Sequence, residues 1–287
     1  MNGKKIALSL PYSYLCNHYE GERDFILDRI FGPADLMLSR LKNRLSGIEI
    51  SNFNETVSAS SITCAVRRIL RHGLETIIHA YLPKELKGNK LTRIYPWLQS
   101  LVPVIRDIQT QLLLNIHALV IDGIEREVLL KMSIENLKTL VPILEDTDVP
   151  IFVAIELNRM KNNSDPSINY ENLLRICREV NNHRFGIGWD LGHTYSNVLN
   201  SVIPLEPPQE FIERVIHIHI HDLNEKGQTH WPLTIGTLPL NYYLKKLRAV
   251  NYCGYYTLEL YPERFLNCHS PAEEILESIE ILSCAHG

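Results

Sequence analysis

Six ionisable side chains interrupt runs that are otherwise apolar: His79 in ETIIHA, His117 at the end of LLLNIH, Glu156 in PIFVAIEL, Asp190 in FGIGWD, His219 in VIHIHIHD and Glu259 in YYTLEL. Imidazoles and carboxylates share one chemistry: they hold a divalent cation and move protons beside it. Singly, each has a plain reading, as a hydrogen-bonded core histidine or a salt-bridged strand-end glutamate. If the chain gathers all six, a core cannot neutralise them without cations. Lys and Arg are nearly absent from these runs, so the counter-charge expected is a metal ion.

The runs themselves are the elements that must do the gathering. Short β-branched stretches read as strands over Lys5–Leu10, Gly47–Ser51, Glu75–Ala80, Leu112–His117, Pro150–Leu157, Phe185–Asp190, Val215–Asp222 and Tyr255–Leu260. Segments of helical spacing alternate with them, such as Ser58–Arg71, Ser133–Leu144, Tyr170–Val180, Leu240–Val250 and Pro271–Cys284, the last opened by Ser–Pro. Eight strand–helix units are the number a closed (β/α)8 TIM barrel needs, and 287 residues is one such barrel. No linker, low-complexity tract or Gly-rich first turn of a doubly wound sheet is present, so residues 1–287 are read as one α/β domain. The six ionisable residues stand at or just beyond C-terminal strand ends, where barrel active sites lie.

Period-2 alternation tests whether they share a face. Glu156 falls in line with Ala154 and Phe152, Glu259 with Thr257, and Asp190 with Gly188 and Gly186. His217, His219 and His221 line one face of their strand, and Ile216, Ile218 and Ile220 are expected on the helix-covered exterior. Spacing alone does not choose between His219 and His221 as a ligand.

The motifs GIGWDLGH (186–193), HIHDLN (219–224), QTHWPLTIG (228–236), YCGYYTLEL (252–260) and IELN (155–158) resemble the xylose-isomerase-like barrel superfamily, over essentially the whole chain. That superfamily takes in sugar and sugar-phosphate isomerases and epimerases and the apurinic endonucleases. In the isomerase branch the resemblance implies one divalent ion held by Glu156, Asp190, His219 and Glu259, with His193 touching substrate. The HxxD pattern selects His219, leaving His221 as a support or substrate contact and His217 as lumen packing. In the endonuclease branch the resemblance adds His79, His117, His193 and His230 as ligands of a zinc cluster. Two positions depart from that branch: Gln228 replaces the acid of its DxH loop, and HAYLP lacks the usual proline of its strand-three motif.

Three carboxylates with one imidazole suit Mn2+, Mg2+ or Co2+, and the added histidines shift the preference toward Zn2+. One ion is the minimum, and His79 and His117 beside Glu156 leave room for a second. By the resemblance, Glu156 and Glu259 remove and return a carbon-bound proton of a ketose through an enediolate. The alternative is a metal-dependent hydrolase or endonuclease in which clustered ions activate water. The ligands alone do not decide between them. The net charge of -4 and Gln228 weigh toward the sugar chemistry and against nucleic acid as partner. Schiff-base aldolase chemistry is discounted, because strands two to eight offer no strand-end lysine.

Arg159, just past Glu156, is expected either to meet an anionic substrate group or to be solvated, and Trp231 to stack on a sugar ring or cap the mouth. Tyr12 and Tyr14 follow strand one and face the mouth or solvent, while Glu49 on strand two is either a lumen group or a buried hydrogen-bonded carboxylate. Composition sets the remaining bounds. The chain is 45% hydrophobic and 22% charged, enough apolar content for a substantial core. Six scattered cysteines without a CxxC pair read as reduced thiols. The opening MNGKKIALSLPYSYL has too short an apolar run for a signal peptide, and no stretch spans a bilayer. The expectation is a soluble cytoplasmic enzyme acting on a small sugar-like molecule, with a homo-oligomer allowed.

Overall fold

The apolar runs become strands because β-branched side chains fill both faces of a ribbon that is covered on each side. The computed structural model describes residues 5–53, 57–80, 94–106, 109 and 111–285. Among them are β1 (Lys5–Pro11), β2 (Gly47–Phe53), β3 (Glu75–Ala80), β4 (Leu112–Ile116), β5 (Ile151–Glu156), β6 (Phe185–Asp190), β7 (Val215–Ile220) and β8 (Tyr255–Leu258). All neighbours pair in parallel, and β8 returns to β1 to close the barrel. Residues 81–83 of the HAYLP run lie outside the described residues.

Helices on the outside bury the second face of each strand. Ala59–Arg71 opens on Ser58, whose hydroxyl accepts the Ser61 N–H at 3.1 Å. Tyr170–Val180 and Pro271–Cys284 occupy the spans that the periodicity predicts, and Arg126–Glu145 is longer than the predicted Ser133–Leu144. Its added first turns are partly polar, so a search for apolar spacing undercounts them. No helix among the described residues is long and apolar enough to cross a membrane.

Four strands, β4, β5, β7 and β8, stop earlier than their apolar runs. His117, His221 and Glu259 therefore stand one residue past the ends of β4, β7 and β8. Glu259 still donates its backbone N–H to the Ile220 carbonyl at 3.1 Å, which keeps it aligned with the lumen.

The barrel interior is filled in layers. Ala7, Ile77, Leu113, Ala154 and Tyr255, with Phe152 and Ile216 against them, form an apolar plug separate from the helix-covered core. Ile216 corrects the alternation expected for β7: it packs inside, while Ile218 and Ile220 join the outer core. The cause is a register shift. Ile187 pairs with Val215 but Gly188 pairs with His217, so one extra residue on β7 turns both Ile216 and His217 inward. Above the plug the lumen is polar.

Candidate metal centre

Asp190 ends β6 and is also the N-cap of the helix Leu191–Leu199. Its Oδ1 accepts the His193 N–H at 2.6 Å, the bond a helix start needs for its unpaired donors. Oδ2 is left without a hydrogen-bond partner. It lies 3.8 Å from His219 Nδ1 and 3.2 Å from His193 Nδ1. One short polar residue at a strand–helix junction thus fixes the turn and leaves an oxygen directed at the histidines.

Ligand atoms of Glu156, Asp190, His219 and Glu259 all lie within 4.8 Å of one another, and all four residues are buried. His219 Nδ1 stands 3.4 Å from Glu156 Oε2 and 3.3 Å from Glu259 Oε2. Glu156 Oε1, Asp190 Oδ2 and His219 Nδ1 have no hydrogen-bond partner. Buried polar atoms are normally paired, so three unpaired atoms of complementary type at one point fit a divalent cation. Burial pushes the Glu259 carboxyl up, but His230 and His219 outweigh it and hold it at about 2. Burial opposes ionisation of Glu156 as well, and His117, His219 and His79 overcome it and hold its carboxyl well below the usual range. Burial lowers His219, yet Glu49, Glu156 and Glu259 raise it well above the ordinary imidazole value. Without an ion, an imidazolium at His219 takes part of the ion's electrostatic role.

The other histidines surround these four. Nε2 of His79 is 3.0 Å from Nε2 of His117 and 3.3 Å from Glu156 Oε2, and these three residues make a second group of metal-binding type sharing Glu156. His193, His221 and His230 form another cluster, with ring centroids of His221 and His230 4.1 Å apart. His221 is poorly suited to bind an ion there. Its Nδ1 accepts the backbone N–H of His230 at 3.0 Å, so the ring proton sits on Nε2, 3.1 Å from Asp190 Oδ1. His221 is thereby a support for Asp190. Gly192 makes the contact feasible, since a Cβ there would lie 2.0 Å from His221 Cε1.

His230 adopts φ 66°, a left-handed conformation uncommon for a residue with a side chain. Paired backbone bonds between Asp222 and Trp231, at 2.8 and 3.1 Å, hold it, and its ring stacks on Tyr261 at 3.8 Å. The Asp222 carboxylate anchors the same loop by accepting the N–H groups of Leu223, Thr237 and Leu238. Gln228 is exposed and accepts the Asn224 amide at 2.8 Å, turned onto its own turn.

A cavity of about 300 Å³ opens beside the four-residue group, with Glu156, Glu259, His117, His193, His230 and Tyr261 in its wall. Asn158, Asn162 and Lys161 line it as well. Arg159 and Trp231 are half-buried and His221 is fully buried, and none of the three is among the described lining residues. Tyr14 is buried, donating its hydroxyl to the Gly32 carbonyl at 2.7 Å, rather than facing solvent.

Three contributors, Asn115, Lys161 and Tyr261, escape a search for ionisable strand ends, and Glu49 takes one of its two expected places. Asn115 donates to Glu156 Oε2 at 2.6 Å, and its parity with His117 is the available signal. Glu49 lies in the lumen against His217 and His219, and neither Lys161 nor Tyr261 has a distinguishing local pattern.

Comparison with known proteins agrees with this architecture. A family model described as a xylose isomerase-like TIM barrel matches residues 45–283. The chain belongs to this family. Within it, the xylose isomerase-like barrel is 28% identical over 139 residues to the uncharacterized protein MJ1311 of Methanocaldococcus jannaschii. That match takes in 46% of this chain and 43% of the relative, less than half the relative's length. Among solved structures, a D-psicose 3-epimerase of Clostridium cellulolyticum H10 crystallised with D-tagatose aligns with TM-score 0.66 at 12% identity, covering 96% of this chain and 97% of that one. The IolI protein with a binding zinc atom aligns with TM-score 0.64 at 15% identity, covering 97% of each chain. At such identities the likeness establishes a shared fold.

Proposed function

We propose that this xylose isomerase-like barrel is a divalent-metal-dependent sugar isomerase or epimerase that moves a proton between carbons next to a carbonyl. The observation that carries it is the convergence of Glu156, Asp190, His219 and Glu259, the first three with unpaired atoms, beside a cavity that Glu156 and Glu259 line. The cavity's volume suits a single sugar ring or open chain. The epimerase named above, solved with a ketohexose, supports the substrate class.

A bound Mn2+, Zn2+, Mg2+ or Co2+ supplies Lewis-acid polarisation of the substrate's carbonyl and hydroxyl oxygens. Glu156, on β5, and Glu259, past β8, reach the substrate from strands three apart, so one removes the proton and the other returns it. Both are ionised and ready to accept it. Asn115 steadies Glu156 by donating to its Oε2 at 2.6 Å. His193, in the cavity wall and held by its backbone bond to Asp190, positions a substrate oxygen. Arg159 and Trp231 complete the assignment as outer contacts, beyond the wall.

The test is incubation of the Mn2+-loaded protein with a panel of ketoses in heavy water. Deuterium entering at the carbon beside the carbonyl, lost in Glu259→Gln, is the expected result. No exchange with any ketose, together with cleavage of a phosphodiester, would replace this reading by the second one. That second reading, a metal-dependent hydrolase, draws on the His79–His117–Glu156 group, which could hold a further ion.

A further inference from the structure

We propose that Glu49 is the positioning residue of the metal centre, holding His219 as the tautomer that offers Nδ1 to the ion. The inference rests on the metal reading above and concerns a residue that takes no part in the ligand set.

Glu49 is fully buried on β2, facing β7 across the lumen. Its Oε2 lies 2.8 Å from His217 Nε2 and 2.9 Å from His219 Nε2. A carboxylate only accepts hydrogen bonds, so both Nε2 atoms carry protons. Asn115 Nδ2, 3.4 Å from His219 Nε2, could bond only a bare nitrogen; it already donates to Glu156 Oε2 at 2.6 Å, and the shorter 2.9 Å contact to Glu49 decides the tautomer. With Nε2 committed, the one lone pair His219 can present is on Nδ1. That atom has no hydrogen-bond partner and faces Glu156, Asp190 and Glu259 at 3.3 to 3.8 Å. Carboxylate, imidazole and cation site thus stand in line, the arrangement that fixes ring orientation and raises ligand basicity in metal proteins.

Energetics point the same way. Glu49 pairs across the sheet with Ile77 of the apolar plug, and its Oε1, without a hydrogen-bond partner, lies 3.7 Å from His79 Nδ1. Burying a charge is costly, and an apolar residue would fill this place without the two ring donors that offset the cost here. His217 has its own place here: bonded to the same oxygen, it holds the carboxylate so that it keeps facing His219.

The experiment uses full-length protein with 15N-labelled histidine. Long-range nitrogen–proton spectra of the zinc-loaded protein are expected to show His219 protonated at Nε2 and metal-shifted at Nδ1, assigned by loss of that signal in His219→Asn. Glu49→Gln is then titrated with Zn2+ and Mn2+ by calorimetry. Its amide satisfies at most one of the two rings as an acceptor, so affinity is expected to fall roughly 10- to 100-fold, with a mixed or reversed His219 tautomer. A wild-type spectrum with zinc on Nε2 overturns the proposal even if the variant does not fold. So does Glu49→Gln with unchanged affinity and tautomer. Absence of ion binding by the wild-type protein would instead remove the metal reading, and this inference with it.

Discussion

Asp190 Oδ1 accepts the backbone N–H of His193 at 2.6 Å while its Oδ2 points, unpaired, toward the cluster of ligands. Cap and proposed ligand are two oxygens of one side chain, so they can be separated by substitution. Asp190→Asn keeps an oxygen for the cap and removes the charge. Its stability is expected within about 1 kcal/mol of wild type, with ion affinity lowered roughly 100-fold. Calorimetric unfolding and metal titration on the same sample check both. A variant that binds the ion normally would remove Asp190 from the ligand set.

Ion affinity should rise with pH. In the metal-free protein the carboxylates around His219 hold its pKa well above the ordinary value, so near neutrality it carries a proton that a ligand must give up. Below that raised pKa, affinity is expected to climb about tenfold per pH unit. Titration in buffers of different ionisation enthalpy should report one proton released. The linkage sign in the metal-free protein is opposite: stability from a raised His219 is present below its unfolded pKa and fades as pH rises through the folded one. Glu259, held at about 2, contributes stability above its unfolded value that disappears as pH falls toward 2.

Gly192→Ala places a methyl where His221 Cε1 would be 2.0 Å away. The ring must shift, and with it the contact to Asp190 Oδ1 and the bond to the His230 N–H. A loss of about 1–3 kcal/mol is expected, accompanied by weaker ion binding. Thermal unfolding with and without Mn2+ measures both. Unchanged stability would show that His221 has room to move.

Substitution of either proposed proton-transfer residue, Glu156→Gln or Glu259→Gln, should reduce hydrogen exchange into substrate by roughly 10²- to 10⁴-fold. Loss of Lys161, in the cavity wall, is expected to raise KM for an anionic substrate about tenfold, the worth of one charged hydrogen bond. Arg159→Ala and Trp231→Ala, beyond the described wall, should change KM less. Equal effects from all three would bring Arg159 and Trp231 into direct contact with substrate.

The barrel was legible because its signals are local. β-Branched runs, helical spacing and caps such as Ser58 and Ser270–Pro271 each report on neighbours within a turn or two. The same parity led from Glu156 to Ala154 and Phe152 and placed all three inside. It misled at Ile216, because the extra residue on β7 exists only in its pairing with β6. A strand's own alternation contains no record of a bulge imposed by its partner.

Residue types and their order, then, were enough to determine eight strand–helix units and to put ionisable groups at their C-terminal ends. Tertiary structure alone decided which atom of each group faces which. His217, His219 and His221 are indistinguishable by spacing, yet one bonds Glu49 only, one bridges Glu49 and the three carboxylates, and one backs Asp190. Those differences come from partners as far as 170 positions away in the chain. Hydrogen-bond direction depends on where such partners arrive, and local sequence carries no information about it.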